Sequence, residues 1–245
     1  MRQIKSKLTP YQRIDIWGDR DEVEFRVTGA THAWWHRQKF LTGLAWDNMA
    51  AGVMSHPRRP QTLLMLGLGG GTSLRTLRHL QPNLDITAVE IDGDMVALAR
   101  EYMGLDDIGV KVITGDAYAW LEKNRRKFDV VFDDVYGVTH DDVIRPGLYI
   151  PALRAALERT TAADGLFAVN LVVGKGHRTM QSAFRKFFVS HFADVRSITT
   201  PASLNETLVG GQALRPWREV RMLRQTFPQE SDRHFWDILR ARGMA

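Results

Sequence analysis

The sequence predicts an α/β fold: a doubly wound, mostly parallel sheet with an antiparallel closing strand, preceded by a small N-terminal β-hairpin cap. Three observations carry that prediction. The first is Leu63-Leu64-Met65-Leu66, an apolar run of strand length that stops at Gly67, Gly69, Gly70 and Gly71 and passes into the helical pattern of residues 73–80. The second is recurrence: residues 86–91, 110–114 and 128–132 are further short apolar runs, with helical patterns at 95–100 and 117–124 between them. The third is the kind of residue that closes each run. The successive strands end in the glycines, in Glu90, in Asp116 and in the pair Asp133-Asp134. Ligands of open α/β sheets bind beyond the carboxyl ends of the strands, so these groups are expected to share one crevice.

Each residue type has a chemical reason to be there. Glycine lets the backbone approach a ligand where a Cβ would clash, and the helix start behind it offers unpaired N–H groups. An acid at the tip of the second strand, about twenty residues on, suits the hydroxyls of a ribose. Any one of these acids is accounted for as a helix N-cap; four strand ends in series, with the glycines first, favour a nucleoside site.

Taken as a set, Tyr11-Gln12, residues 67–75, Glu90-Ile91-Asp92, Gly115-Asp116-Ala117 and residues 128–134 resemble the spermidine synthase (polyamine aminopropyltransferase) family, within the Rossmann-like class I S-adenosylmethionine-dependent methyltransferase fold. The resemblance implies that Gly67, Gly69, Gly71 and Ala117 line the adenosyl group, that Glu90 holds the ribose and Asp116 the adenine amino group, and that Gln12 reaches the nucleoside from the N-terminal segment. It implies that Asp134, helped by Tyr136, binds and deprotonates an attacking amine. The donor would be decarboxylated or intact S-adenosylmethionine, with no metal, and the family is commonly homodimeric. Three positions depart from the family pattern. Gly70 stands where the glycine motif usually carries an acid, Gly137 where the catalytic loop has a second acid, and Leu44-Ala45-Trp46 near the family's Tyr-His-Glu.

The segment from Asp133 to Pro146 also holds His140, Asp141 and Asp142, an acid-rich stretch suited to a cationic amine; Asp133 and Asp141 are candidate substrate contacts. A solvated loop with a helix N-cap explains Asp141-Asp142 equally well, and His140 is a candidate base for a different acceptor. Thr31-His32-Ala33-Trp34-Trp35-His36 has two readings. Trp34 lies over an acceptor pocket, or the rings cover the apolar face of the hairpin or a dimer contact; the second is favoured. His32 and His36 have helical i, i+4 spacing but no third ligand at matching distance.

Residues 11–17 and 23–27 alternate around the turn Gly18-Asp19-Arg20-Asp21, giving the hairpin. The cap is expected over residues 1–46 and the catalytic domain over 47–245. Residues 40–54 read as an amphipathic helix, broken by Ser55-His56-Pro57-Arg58-Arg59-Pro60. A helix at 147–158, a fifth strand at 165–172, a helix at 180–188 and an antiparallel pair at 193–198 and 206–210 complete the body. The tail from Gln212 reads as two helical pieces split at Pro228, with Trp217, Met222, Leu223, Phe235 and Trp236 buried against the body or a neighbouring subunit.

Composition narrows the class. In 245 residues there is no cysteine, which excludes disulfides, a thiolate nucleophile and zinc–thiolate sites. The basic N-terminus lacks an apolar run behind it, and no stretch is long enough to span a bilayer, so a soluble cytoplasmic enzyme without membrane association is expected. The net charge of +5 comes largely from late residues, including Arg215, Arg218, Arg221 and Arg224 at helical spacing. A solvated or subunit-facing helix face explains these without nucleic acid. The resemblance, within these limits, implies aminopropyl transfer to a small-molecule amine. A small-molecule methyltransferase is the alternative, since Gly70 removes an acid that would repel the carboxylate of intact S-adenosylmethionine, and a silent nucleoside-binding scaffold is the third possibility.

Overall fold

The computed structural model describes residues 1–138, 143–145 and 150–244; His140, Asp141 and Asp142 lie outside the described residues. The chain opens with a four-stranded antiparallel meander, β1 (Arg2–Leu8), β2 (Arg13–Gly18), β3 (Glu22–Val27) and β4 (Ala30–His36), in sequential order. Only the central β2–β3 hairpin is legible in the sequence. β1 is polar and exposed along its length, so it shows no alternation; pairing with β2 and ion pairs from Lys5 to Glu101 and Lys7 to Asp94 hold it in place. β4 carries the aromatic and histidine segment, and within it only Ala33 is buried.

Behind the cap come α1 (Ala45–Val53), β5 (Thr62–Leu66), α2 (Thr72–Leu80), β6 (Asp85–Glu90), α3 (Gly93–Tyr102), α4 (Leu105–Ile108), β7 (Val110–Thr114), α5 (Ala117–Lys123) and β8 (Phe128–Asp133). A short ladder of β9 (Gly137–Val138) and β10 (Val143–Ile144) precedes α6 (Ile150–Thr160), β11 (Thr161–Val172), α7 (Arg178–His191), β12 (Asp194–Thr199) and β13 (Asn205–Gly211). The chain ends with α8 (Trp217–Met222), α9 (Glu230–Asp237) and β14 (Arg240–Met244). The main sheet has eight strands in the order β14-β12-β13-β11-β8-β5-β6-β7. β7, β6, β5, β8 and β11 are parallel; β13 inserts antiparallel between β11 and β12, and β14 adds an antiparallel edge.

The inner parallel strands β5, β6 and β8 read as largely apolar runs because both faces are covered, whereas the edge strand β7 exposes Lys111 and Thr114. One apolar cluster joins Met49 of α1, Leu74 and Leu77 of α2 and Val96 of α3 to Ile14, Ile16 and Phe25 of the cap. The other packs Leu121, Leu153 and Phe188 against Val131, Phe167 and Leu208 on the opposite face. The helix expected from residue 40 starts only at Ala45, because buried carboxylates hold the preceding backbone open. Asp232 accepts from the N–H groups of Phe40 and Leu41, and Asp47 from those of Thr42 and Gly43. The tail arginines are largely tied within the chain: Arg224 pairs with Asp237 at 2.9 Å and Arg215 is buried. Trp236 is buried as expected, whereas Met222 is exposed. No helix among the described residues is long and apolar enough to cross a membrane.

The cap presses directly on the glycine turn. A Cβ added at Gly70 would overlap the Cβ of Ala33, so the position where an acid was expected has no room for any side chain. Gly70→Ala is therefore expected to destabilise the fold by about 1–3 kcal/mol. In an Ala33→Gly background that cost should fall, a coupling read from a urea-denaturation double-mutant cycle.

Candidate active site

Backbone hydrogen bonds carry the parallel ladder one step beyond the strand ends. Asp134 N–H donates to the Leu66 carbonyl (2.8 Å), Gly67 N–H to that of Val89 (2.9 Å) and Gly115 N–H to that of Glu90 (2.9 Å). The turn after β5 is thereby wedged against its neighbour. A Cβ at Gly67 would lie 2.5 Å from the Asp134 carbonyl oxygen, and its φ of +80° already favours glycine. Above the turn, the Trp34 N–H donates to Thr72 Oγ1 (2.8 Å) and the Thr72 hydroxyl donates back to the Trp34 carbonyl (3.0 Å).

Glu90 and Asp92 fix this loop from the side. Glu90 Oε2 accepts from the N–H groups of Leu68 (2.9 Å) and Gly69 (3.0 Å), while Oε1 accepts from Asp92 N–H (3.0 Å). A carboxylate has about four lone-pair directions, so one remains for a ligand hydroxyl. Asp92 caps α3 through Oδ1 and accepts the Thr9 hydroxyl on Oδ2 at 2.7 Å. Thr9 Oγ1 in turn accepts from the N–H groups of Tyr11 and Gln12, both at 3.1 Å. This buried link, absent from any motif, is what brings the Gln12 backbone to the end of β6. Gln12 also lines a cavity of about 300 Å³ with Tyr11, Val27 and Thr28.

Asp116 is exposed and caps α5 by accepting from Ala119 N–H at 2.8 Å, leaving its second oxygen without a partner among the described residues; Ala117 is buried behind it. Trp34 stacks on His36 and its indole N–H reaches Glu22 at 3.4 Å, so its ring lies along the cap. A shallow depression of about 790 Å³ beside α6, α7 and β14 contains none of these residues. Among the described residues no group of three or more His, Cys, Asp or Glu side chains is placed to hold a metal ion.

The two adjacent acids after β8 have different fates. Asp133 is fully buried; it pairs with Arg145 Nη1 at 2.7 Å and accepts the Tyr118 hydroxyl at 3.1 Å and the Val135 N–H at 3.1 Å. That placement does not match a substrate contact, because both oxygens are consumed inside the protein. Arg145 is itself buried, donates to the Asn170 carbonyl (2.6 Å) and stacks 4.6 Å over the Tyr136 ring. Burial would lower its pKa, but Asp133, Tyr136 and Tyr118 together more than offset this and the net shift is upward. The Tyr136 hydroxyl likewise turns inward, donating to the Asn170 carbonyl (2.9 Å) and accepting from Val172 N–H (3.0 Å). Its one proton is used there, and burial raises its pKa further, so the expected catalytic tyrosine is a packing element.

Asp134 remains partly open to the crevice. Its Oδ1 accepts from Asn170 Nδ2 at 2.8 Å, and Oδ2 has no hydrogen bond from a described residue. Burial pushes its carboxyl up to about 7, reinforced by Asp133 and Glu90 and opposed by Asn170 and Arg145. Such an acid is poised to exchange a proton near neutrality. Sequence reasoning missed Thr9, Tyr118, Arg145 and Asn170; a lone arginine in an acid-rich stretch was the one available sign of Arg145. Because Arg145→Ala would leave Asp133 as an uncompensated buried charge, it is expected to cost about 3–5 kcal/mol of stability in urea denaturation. Asp133→Asn with Arg145→Met should recover part of that loss.

Comparisons with known proteins agree with this architecture. A family profile described as the spermine/spermidine synthase domain matches residues 48–169. A probable polyamine aminopropyl transferase of Bifidobacterium longum is 27% identical over 208 residues, covering 81% of this chain and 44% of the relative. A polyamine aminopropyltransferase of Pyrobaculum aerophilum is 32% identical over 123 residues, 46% of this chain and 42% of the relative. The chain thus spans less than half the length of either. A spermidine synthase structure in complex with the transition-state analogue AdoDATO superposes with a TM-score of 0.71 at 20% identity, over 97% of this chain and 85% of that one. Human methyltransferase-like protein 13, in complex with SAH, gives a TM-score of 0.61 at 21% identity, over 75% and 90% respectively. The fold is therefore Rossmann-like and methyltransferase-type, and just under half of the chain, residues 48–169, matches the spermine/spermidine synthase domain.

Proposed function

We propose that this protein is an aminopropyltransferase: it joins the aminopropyl group of decarboxylated S-adenosylmethionine to a polyamine and releases methylthioadenosine. The observation that carries the reading is Asp134, a carboxyl set back beside the glycine turn with one oxygen directed by Asn170 and its ionisation near neutrality. The domain match over residues 48–169 and the names of the relatives supply the reaction class. In this reading Glu90 holds the ribose with its remaining lone pair, Asp116 the adenine amino group, and Gln12 closes the nucleoside from the cap. Asp133 and Tyr136 act from inside, by holding Arg145.

The chemistry asks little beyond position. An ammonium has no lone pair, so Asp134 takes one of its protons. The freed nitrogen pair forms the new C–N bond at the methylene next to the sulfonium. The C–S bond breaks with its electrons staying on sulfur, which leaves as a neutral thioether. Alignment and exclusion of water supply the acceleration. The same reading takes the enzyme to be a cytoplasmic homodimer; light scattering is expected to return twice the chain mass.

The first test is mass spectrometry of products from decarboxylated and intact S-adenosylmethionine, with putrescine or spermidine as acceptor. Methylthioadenosine with a lengthened amine is the expected outcome; S-adenosylhomocysteine from the intact donor would replace this reading by methyl transfer. Asp134→Asn should lower kcat by about 10²–10⁴ while nucleoside binding persists. Because the ionised form of Asp134 is the active one and burial holds its carboxyl at about 7, the wild-type rate should rise as pH climbs through that value and fall tenfold per unit below it.

A further inference from the structure

Asp134 stands at the end of a chain of side-chain hydrogen bonds that reaches into the sheet. The Ser203 hydroxyl donates to Asn205 Oδ1 (3.0 Å), Asn205 Nδ2 donates to Asn170 Oδ1 (3.3 Å), and Asn170 Nδ2 donates to Asp134 Oδ1 (2.8 Å). Every link points toward the acid. A primary amide has one donating and one accepting end, so the orientation of each asparagine is dictated by the one behind it. The frame for this chain is rigid: Asn205 pairs with Val172 across the β13–β11 ladder, its carbonyl accepts from Asn48 Nδ2 at 3.5 Å, and Asn170 and Asn48 are buried.

We propose that Asn205 is a positioning residue for the reaction: through Asn170 it keeps an N–H donor against Asp134 and so favours the carboxylate over the acid. Its catalytic meaning rests on the proposed role of Asp134, but its physical effect does not. The other groups acting on Asp134 are Arg145, which also favours the charged form, and Asp133 and Glu90, which oppose it; Tyr136 lies beside them. Since Asp133 already neutralises much of Arg145, the amide chain is the adjustable contribution. A reversed Asn170 would point a carbonyl oxygen at Asp134, tolerable only when that carboxyl carries a proton.

The isosteric Asn205→Asp change tests this. An aspartate there presents only acceptors, so Asn170 turns its NH₂ toward position 205 and its carbonyl toward Asp134. The readout is direct titration of the Asp134 carboxyl in the full chain with ¹³C-carboxyl-labelled aspartate, assigned by its loss in Asp134→Asn. Asn205→Asp is expected to raise the midpoint by at least about one pH unit, with Asn205→Ala intermediate. If Asn205→Asp does not fold, Ser203→Ala should raise it and Ser203→Thr, which keeps the hydroxyl, should restore it. Midpoints equal to wild type in these variants would overturn the proposal. A raised midpoint supports it even in a chain that forms no methylthioadenosine, and an unmoved one refutes it even where product forms.

Discussion

The glycine turn after β5 has almost no freedom, and the crevice takes its shape from that. Its underside meets the Asp134 carbonyl, its upper side meets Ala33, and its N–H groups are gripped by Glu90. Each contact needs a residue without a side chain or an acceptor at a fixed depth. The turn therefore behaves less as a flexible phosphate-style loop than as a spacer that sets the distance between the cap and β8. Once that distance is set, Asp134 and Glu90 can only lie beside each other at the mouth of the sheet.

Two neighbouring acids show how strongly direction outweighs composition. Asp133 points into the protein and is neutralised by Arg145; Asp134 points to the crevice and meets no described cation at contact distance. A buried pair of this kind contributes little net stability compared with apolar packing, yet removing one member is costly. Its effect here is geometric. Arg145 donates to the Asn170 carbonyl and covers the Tyr136 ring, so it ties the end of β8 to β11, and Asn170 is then held where its amide meets Asp134.

The inner parallel strands were legible because burial on both faces leaves mostly apolar residues to read. Glu90 and Asp116 were legible because strand tips are marked by the end of such a run. What could not be read depended on partners far along the chain. β1 is polar and β14 is short and arginine-rich, so each is a strand only because a neighbour pairs with it. The inward turn of Asp133 and Tyr136 depends on Arg145, and that of Thr9 on Asp92, contacts that no local spacing encodes. The missing acid at Gly70 was visible as a missing letter; that Ala33 occupies the space was not.

The cap and the main sheet share one apolar core, with Ile14, Ile16 and Phe25 continuous with Leu74, Leu77 and Met103. Thr9–Asp92 and Trp34–Thr72 bolt the seam at both ends. Such a cap is no detachable module. Removing it would strip the cover from α2 and uncover the glycine turn, so the crevice and the N-terminal strands are bound to melt in one cooperative step.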